Sequence, residues 1–215
     1  MRVRNIPCLP TNYGGRQGAN VEYLVIHYTA GDGDTAEENG LYFSRTHVGA
    51  SAHWFVDEQG VVASVPEEAA AWHCGAKTYV HPRCRNANSI GIELCSRKTD
   101  GIYRFAPQTV KNAVKLVRQL MKTYDIPADR VLRHYDVTGK ACPAPFLAQE
   151  VWENFLEELM EERYDDLQTV PAWGQPTVEK LTGRGFLQGD GTSLNLSRDM
   201  LRLLVILDRA GVFAP

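Results

Sequence analysis

Residues Val21 to Thr29 read V-E-Y-L-V-I-H-Y-T, aliphatic, β-branched or aromatic almost throughout. An apolar run of this kind is a strand buried on both faces, in the interior of a sheet. It gives way to His27-Tyr28-Thr29-Ala30-Gly31, so His27 stands where the strand ends and a loop begins. A histidine in such a run is either a hydrogen-bonded core residue or a group presented for chemistry.

The segments around it build an α/β domain. Asp34 or Thr35 caps a helix over Ala36–Arg45, with Leu41 and Tyr42 facing inward. Ala52–Asp57 and Val61–Val65 flank Glu58-Gln59-Gly60 and form a hairpin, with His53 one step from its apolar face, a structural or substrate-facing residue rather than a ligand. Ser89 to Cys95 is a further strand, in which alternation sets Gly91, Glu93 and Cys95 on one face and Ile90, Ile92 and Leu94 on the other. Pro107 to Tyr124 is an amphipathic helix with Val110, Ala113, Val114, Val117, Leu120 and Met121 on one stripe. A short strand over Arg130–His134 leads into a loop. A last helix, about Leu147 to Arg163, turns Val151, Trp152, Phe155, Leu156 and Leu159 inward. Residues 1–20 lack periodicity and read as an extended lead-in. Strands interleaved with helices predict a mixed central β-sheet flanked by helices.

Length and composition fit one main domain and a small appendage: 215 residues, 44% hydrophobic and 23% charged. The expected main domain spans residues 1–167, followed by a linker at 168–174 that holds Pro171, Trp173 and Gly174. A small helical segment follows at 175–215, with helical patterns over Thr177–Arg184 and Ser197–Ala210 around G-F-L-Q-G-D-G. A segment so short needs the main domain, a second copy of itself or a target to complete its core. A net charge of −3 argues against a general nucleic-acid binder. No stretch approaches the roughly 18 apolar residues of a membrane span, so membrane insertion is not expected. The first residues carry no secretory pattern. Five cysteines, an odd count, point to synthesis in a reducing cytoplasm with at least one thiol engaged in chemistry.

Arg133 to Pro143, R-H-Y-D-V-T-G-K-A-C-P, concentrates reactive side chains: His134, Lys140 and Cys142. Imidazole and thiolate are zinc ligands, and a tetrahedral site would take a third protein ligand from elsewhere. The same pair is also compatible with core packing. Glu93 is the second anomaly, because a carboxylate inside a sheet costs several kcal/mol unless it is paired or opens to a site. It is either a structural ion-pair partner or a general base whose pKa burial raises. Residues Ala69–Arg85 hold Trp72, His73, Cys74, His81 and Cys84. Their types would allow a second metal or a Cys74–Cys84 disulfide, but their Gly- and Pro-rich loop suits substrate contact better.

Taken together, V-I-H-Y-T, A-H-W-F-V-D, A-W-H-C-G, N-S-I-G-I-E-L and H-Y-D-V-T-G-K-A-C-P resemble the zinc-dependent N-acetylmuramoyl-L-alanine amidases of the phage-lysozyme and peptidoglycan-recognition type. The resemblance spans roughly Val21 to Leu147. It implies an enzyme that cleaves the amide between N-acetylmuramic acid and the L-alanine of the stem peptide. It also implies zinc held by His27, His134 and Cys142, with Lys140 beside the metal. The phage-lysozyme branch has a tyrosine where this chain has Ala52, and the endolysin branch places a strand glutamate in the base role, matching Glu93. His53, Trp72, His73 and Asn88 are the candidate substrate-binding residues. The C-terminal segment is more loosely similar to halves of surface-layer-homology repeats. The expected protein is a phage or prophage endolysin, made in the cytoplasm and acting on bacterial peptidoglycan after release. Its C-terminal segment would bind the wall or form a homodimer. A cytosolic enzyme recycling muropeptides and a non-catalytic recognition module are the other readings.

Overall fold

The computed structural model describes residues 1–189, 191 and 193–213, and the chain divides into two compact units, Met1–Leu159 and Met160–Pro215. The first is built on six strands: β1 (Arg2–Asn5), β2 (Tyr23–Tyr28), β3 (Trp54–Val56), β4 (Gly60–Ala63), β5 (Ser89–Leu94) and β6 (Val131–Arg133). They lie in the order β1-β4-β3-β5-β2-β6, all neighbours parallel except the β3–β4 hairpin. This is the expected mixed sheet. Val21–Thr29 does supply an interior strand, with Leu24, Val25 and Ile26 fully buried.

The helices are α1 (Ala36–Arg45), α2 (Pro107–Tyr124), α3 (His134–Thr138) and α4 (Gln149–Met160) in this region. Thr35 closes a capping box with Glu38 at the start of α1, which satisfies free amide groups of the first turn. Pro107 opens α2 and Asp125, left-handed at φ 52°, ends it. Apolar faces of α2 and α4 meet one side of the sheet, where Leu24, Ile26, Ile90, Ile92 and Leu94 pack with Val117, Leu120, Trp152 and Phe155. Alternation along β2 and β5 sends Val25, His27, Gly91 and Glu93 to the other side. Asp57 fastens the hairpin to α1. One carboxylate oxygen accepts from Ala36 N at 2.8 Å and the other from Gln59 N and Gly60 N.

Four local expectations change. Residues 1–20 are no mere lead-in, because β1 extends the sheet edge and Tyr13–Gly15 pairs with Ala69–Ala71. Tyr42 is 51% exposed, since α1 buries Ala36 and Gly40 instead. Val151 is also exposed, at 42%, on the outer side of α4. The residues after β6 form the single turn α3 where a loop was expected, so His134 sits at a helix start.

The second unit holds α5 (Gln175–Gly183), α6 (Arg198–Arg209) and a small antiparallel pair, Arg163–Tyr164 with Leu196–Ser197. The chain divides before the expected boundary at residue 167, and the expected linker is packed. Tyr164 and Val170 join Val178, Leu196, Leu201 and Val205 in an apolar cluster of this unit's own. Asp208 ties the two helices, accepting from Thr177 Oγ1 at 2.9 Å and Lys180 Nζ at 2.7 Å. Asp190, inside the expected G-F-L-Q-G-D-G turn, lies outside the described residues, as do Thr192, Ala214 and Pro215.

Candidate active site

The site forms where parallel strands end together. Register sets Phe55 of β3, Glu93 of β5 and His27 of β2 side by side. Because Arg133 pairs with Ile26, the next residue, His134, arrives beside His27, with ring centroids 4.6 Å apart. The turn at Gly139 (φ 80°) then brings Cys142 back, with Tyr135 N donating to Cys142 O at 2.8 Å. Arg133 braces this return through Asp136 and the carbonyl of Phe146. Sequence-distant groups are thereby gathered by three strand ends and one short turn.

His27, His134 and Cys142 are buried, and one ligand atom from each lies within 4.8 Å of the others, the arrangement a metal ion needs. His27 Nδ1 faces Cys142 Sγ at 3.7 Å and Glu93 Oε1 at 4.0 Å. His134 Nδ1 and Glu93 Oε2 are buried without a hydrogen-bond partner among the described residues. Orphaned buried lone pairs are costly and uncommon in folded proteins. Two imidazoles and a thiol with these free positions fit a zinc-type ion, which prefers nitrogen and sulfur donors.

Electrostatics agree with that fit. Burial, reinforced by the neighbouring His73 and His134, holds His27 well below the usual histidine range. Burial and then Lys140 lower His134 to about 4, so both rings are neutral near pH 7. Burial and then the Glu93 carboxylate push the Cys142 thiol up to about 12. Burial raises Glu93 to about 8, with Lys140 opposing and Asp34 adding to the rise. The cluster therefore lacks positive charge, and a bound dication would favour the thiolate and the carboxylate.

A cleft of about 440 Å³ opens over this cluster, lined by Tyr28, Tyr42, Phe43, Trp72, Lys140 and the four groups just described. A second, more polar hollow of about 560 Å³ shares Trp72, His73, His134 and Lys140 and continues along Gly75–Thr78 and Asn86. Trp72, 37% exposed, lines both hollows.

The other candidate substrate contacts are placed differently. His53 is wholly buried. Its Nδ1 accepts from Gly91 N at 2.9 Å, which leaves Nε2–H to donate to Ala69 O at 3.1 Å. Arg16 packs beside it while donating to the carbonyls of Glu67, Ala87 and Ser89. His53 is thus a core residue. Asn88 turns into its own loop, accepting from Arg85 N and donating to Arg83 O. Asn86, which local pattern did not single out, borders the second hollow and accepts from His73 N and Cys74 N. Its only signal was an Asn-rich turn. His73 borders the cleft, but its ring nitrogens bond to protein, to His27 and Ser89. Cys74 and Cys84 are free buried thiols, not a disulfide. His81 Nδ1 accepts from Cys84 N at 2.8 Å, and the one grouping that could hold a metal among the described residues does not include His73, Cys74, His81 or Cys84.

A mixed sheet carrying a His-His-Cys cluster and a half-buried carboxylate at its strand ends defines the class to which the chain is assigned. Residues 17–145 match the family described as N-acetylmuramoyl-L-alanine amidase, and the chain belongs to that family. A probable N-acetylmuramoyl-L-alanine amidase of Bacillus licheniformis is 38% identical over 141 residues, covering 62% of this chain and 39% of the relative. The chain thus matches about four-tenths of the length of these curated relatives, CwlL of the same organism included. Among solved structures, PlyL aligns with TM-score 0.61 and 29% identity, covering 74% of this chain and 97% of that one. The catalytic domain of XlyA aligns with TM-score 0.62 and 26% identity, covering 74% of this chain and 99% of that one.

Proposed function

We propose that the chain is a zinc-dependent N-acetylmuramoyl-L-alanine amidase that cleaves the amide joining N-acetylmuramic acid to the L-alanine of the stem peptide. The observation that carries this reading is the meeting of partnerless lone pairs on His134 and Glu93 with Cys142 and His27 at one end of a cleft. His27, His134 and Cys142 would hold the ion. When bound, zinc supplies a Lewis acid that acidifies water and polarises a carbonyl.

Glu93 takes the proton from the attacking water and returns it to the departing amine. A dication bound beside it would favour its carboxylate form, which readies it to accept that proton. Lys140 lines the cleft and places its cation near the oxygen on which negative charge develops. Trp72 offers an aromatic face to the substrate.

Among the described residues no helix is long and apolar enough to cross a membrane. We read the wall as the place of action, reached after release from a cytoplasm, as for an endolysin. The second unit is proposed to hold the enzyme on wall polymer. Exposed Trp173 and Arg209 border a hollow of about 340 Å³ there, with Arg198 and Arg202 ion-paired to Glu162 and Asp199 on its rim, a surface on which a glycan could stack and hydrogen-bond. Sedimentation with purified walls tests this, and dimerisation without wall binding would replace it.

Intact peptidoglycan incubated with the protein, with and without chelator, tests the activity. New L-alanine amines without new reducing sugars, lost on chelation and restored by zinc, are expected. New reducing ends would identify a glycosidase instead. Bound zinc without cleavage would leave a recognition module.

A further inference from the structure

His73 makes a chain of hydrogen bonds whose direction is fixed from its far end. The carbonyl of Arg85 can only accept, so the Ser89 hydroxyl donates to it, at 2.7 Å. That hydroxyl has one hydrogen, so towards His73 Nε2, 3.0 Å away, it must accept. Neutral His73 therefore carries its one proton on Nε2 and leaves Nδ1 bare. Bare Nδ1 faces His27 Nε2 at 3.0 Å and accepts from it. His27 in turn carries its proton on Nε2, and its Nδ1 lone pair points to Cys142 and Glu93.

We infer that Arg85 C=O, Ser89 and His73 form a positioning relay that sets the tautomer and ring orientation of His27 before any ion arrives. His73 is thus a positioning residue, in place of the substrate contact expected for it. The inference rests on His27 being a metal ligand, but the tautomers themselves do not require metal.

The fold is shaped around this relay. A side-chain carbon on Gly91 would lie under 3.0 Å from the His73 ring, so glycine at that place leaves room for the imidazole against β5. Asn86 fixes the backbone on either side, accepting from His73 N at 3.2 Å and Cys74 N at 2.8 Å. The ring stands nearly perpendicular to His27, at 89°, so the contact is a directed hydrogen bond rather than stacking. A histidine ligand whose other nitrogen is held in this way binds metal more tightly. Loss of such a partner lowers affinity about 10- to 100-fold.

The experiment combines tautomer-sensitive 15N NMR of the metal-free protein with zinc titration against a chromophoric chelator. Metal-free wild type should show both His27 and His73 protonated on Nε2, and a His27 protonated on Nδ1 would overturn the inference. His73→Phe keeps an aromatic ring but offers no acceptor, and should weaken zinc binding about 10- to 100-fold. His73→Gln, whose amide can accept from His27 and donate to Ser89, should recover most of that loss. Unchanged zinc affinity in folded His73→Phe, or equal loss in both variants, would sink the relay. Should His73→Phe fail to fold, Ser89→Ala serves. It should free His73 to sample both tautomers and weaken zinc binding to a smaller degree, and unchanged spectra would count against the inference. Failure of wild type to bind zinc at all would instead refute the metal-site reading, leaving the tautomer result to stand on its own.

Discussion

His53 and His134 are both buried histidines, and they do opposite things. His53 is 0% exposed, and its two nitrogens bond to Gly91 N and Ala69 O. His134 is 6% exposed, yet its Nδ1 meets no partner among the described residues. Burial alone does not distinguish a core histidine from a ligand. Satisfaction does, because an unpartnered polar atom inside a protein is a cost that function must explain. The same contrast separates Asp57, whose oxygens accept from three amides, from Glu93, with one oxygen orphaned.

If that contrast is functional, the largest effect belongs to the orphaned carboxylate. Glu93→Gln should retain zinc and fold while turnover falls about 100- to 10,000-fold, the usual worth of a general acid–base group. Single-turnover assays with zinc content measured in parallel test this, and near-native turnover would remove Glu93 from the base role. Lys140→Met should follow, with a loss of about 100-fold or more in kcat if the cation stabilises developing charge. A rise in KM alone would make Lys140 a binding residue.

The two histidines should separate by stability rather than rate. His53→Ala strips partners from buried groups and should cost about 1–3 kcal/mol for each one left unsatisfied. Zinc bound per folded molecule should stay unchanged. His134→Ala should abolish tight zinc binding while costing the metal-free protein much less, because it removes an atom that had no partner. Thermal melts of the metal-free variants, paired with zinc titrations, check both. A reversed pattern would end the distinction.

Much of this was legible in the chain because the informative residues break patterns. His27 and Glu93 interrupt apolar strands, and the short spacing from His134 through Lys140 to Cys142 brings three reactive groups together in sequence. His53 breaks its hairpin in the same way. What satisfies it, Gly91 N and the Ala69 carbonyl beside Arg16, comes from segments far off in sequence, so local pattern cannot tell a structural histidine from a substrate-facing one. Strand β1 was invisible for a related reason. Its residues are mostly exposed at a sheet edge, where pairing with β4 supplies the structure and no alternation is needed. The boundary at Leu159 was hidden because Tyr164 and Val170 gain their partners only from helices further along the chain.

The smallest effect concerns pH and the metal-free protein. Glu93 is raised from 4.5 to about 8 in the folded state. Folding therefore favours its protonated form. That contribution is fully present below about pH 4.5 and is lost as pH rises towards 8. His134, lowered from 6.5 to about 4, acts in the other direction. Its contribution is intact above about pH 6.5 and is lost as pH falls through 4. Replacing Glu93 with glutamine removes only the first dependence. The melting temperature of metal-free Glu93→Gln, relative to metal-free wild type, should therefore climb between about pH 4.5 and 8 and level off above. Zinc should reduce the climb, because a nearby dication favours the carboxylate and lowers its pKa in the folded state. A difference independent of pH in the metal-free pair would show that Glu93 ionises as readily in the fold as in water. Its open lone pair would then no longer distinguish it from Asp57.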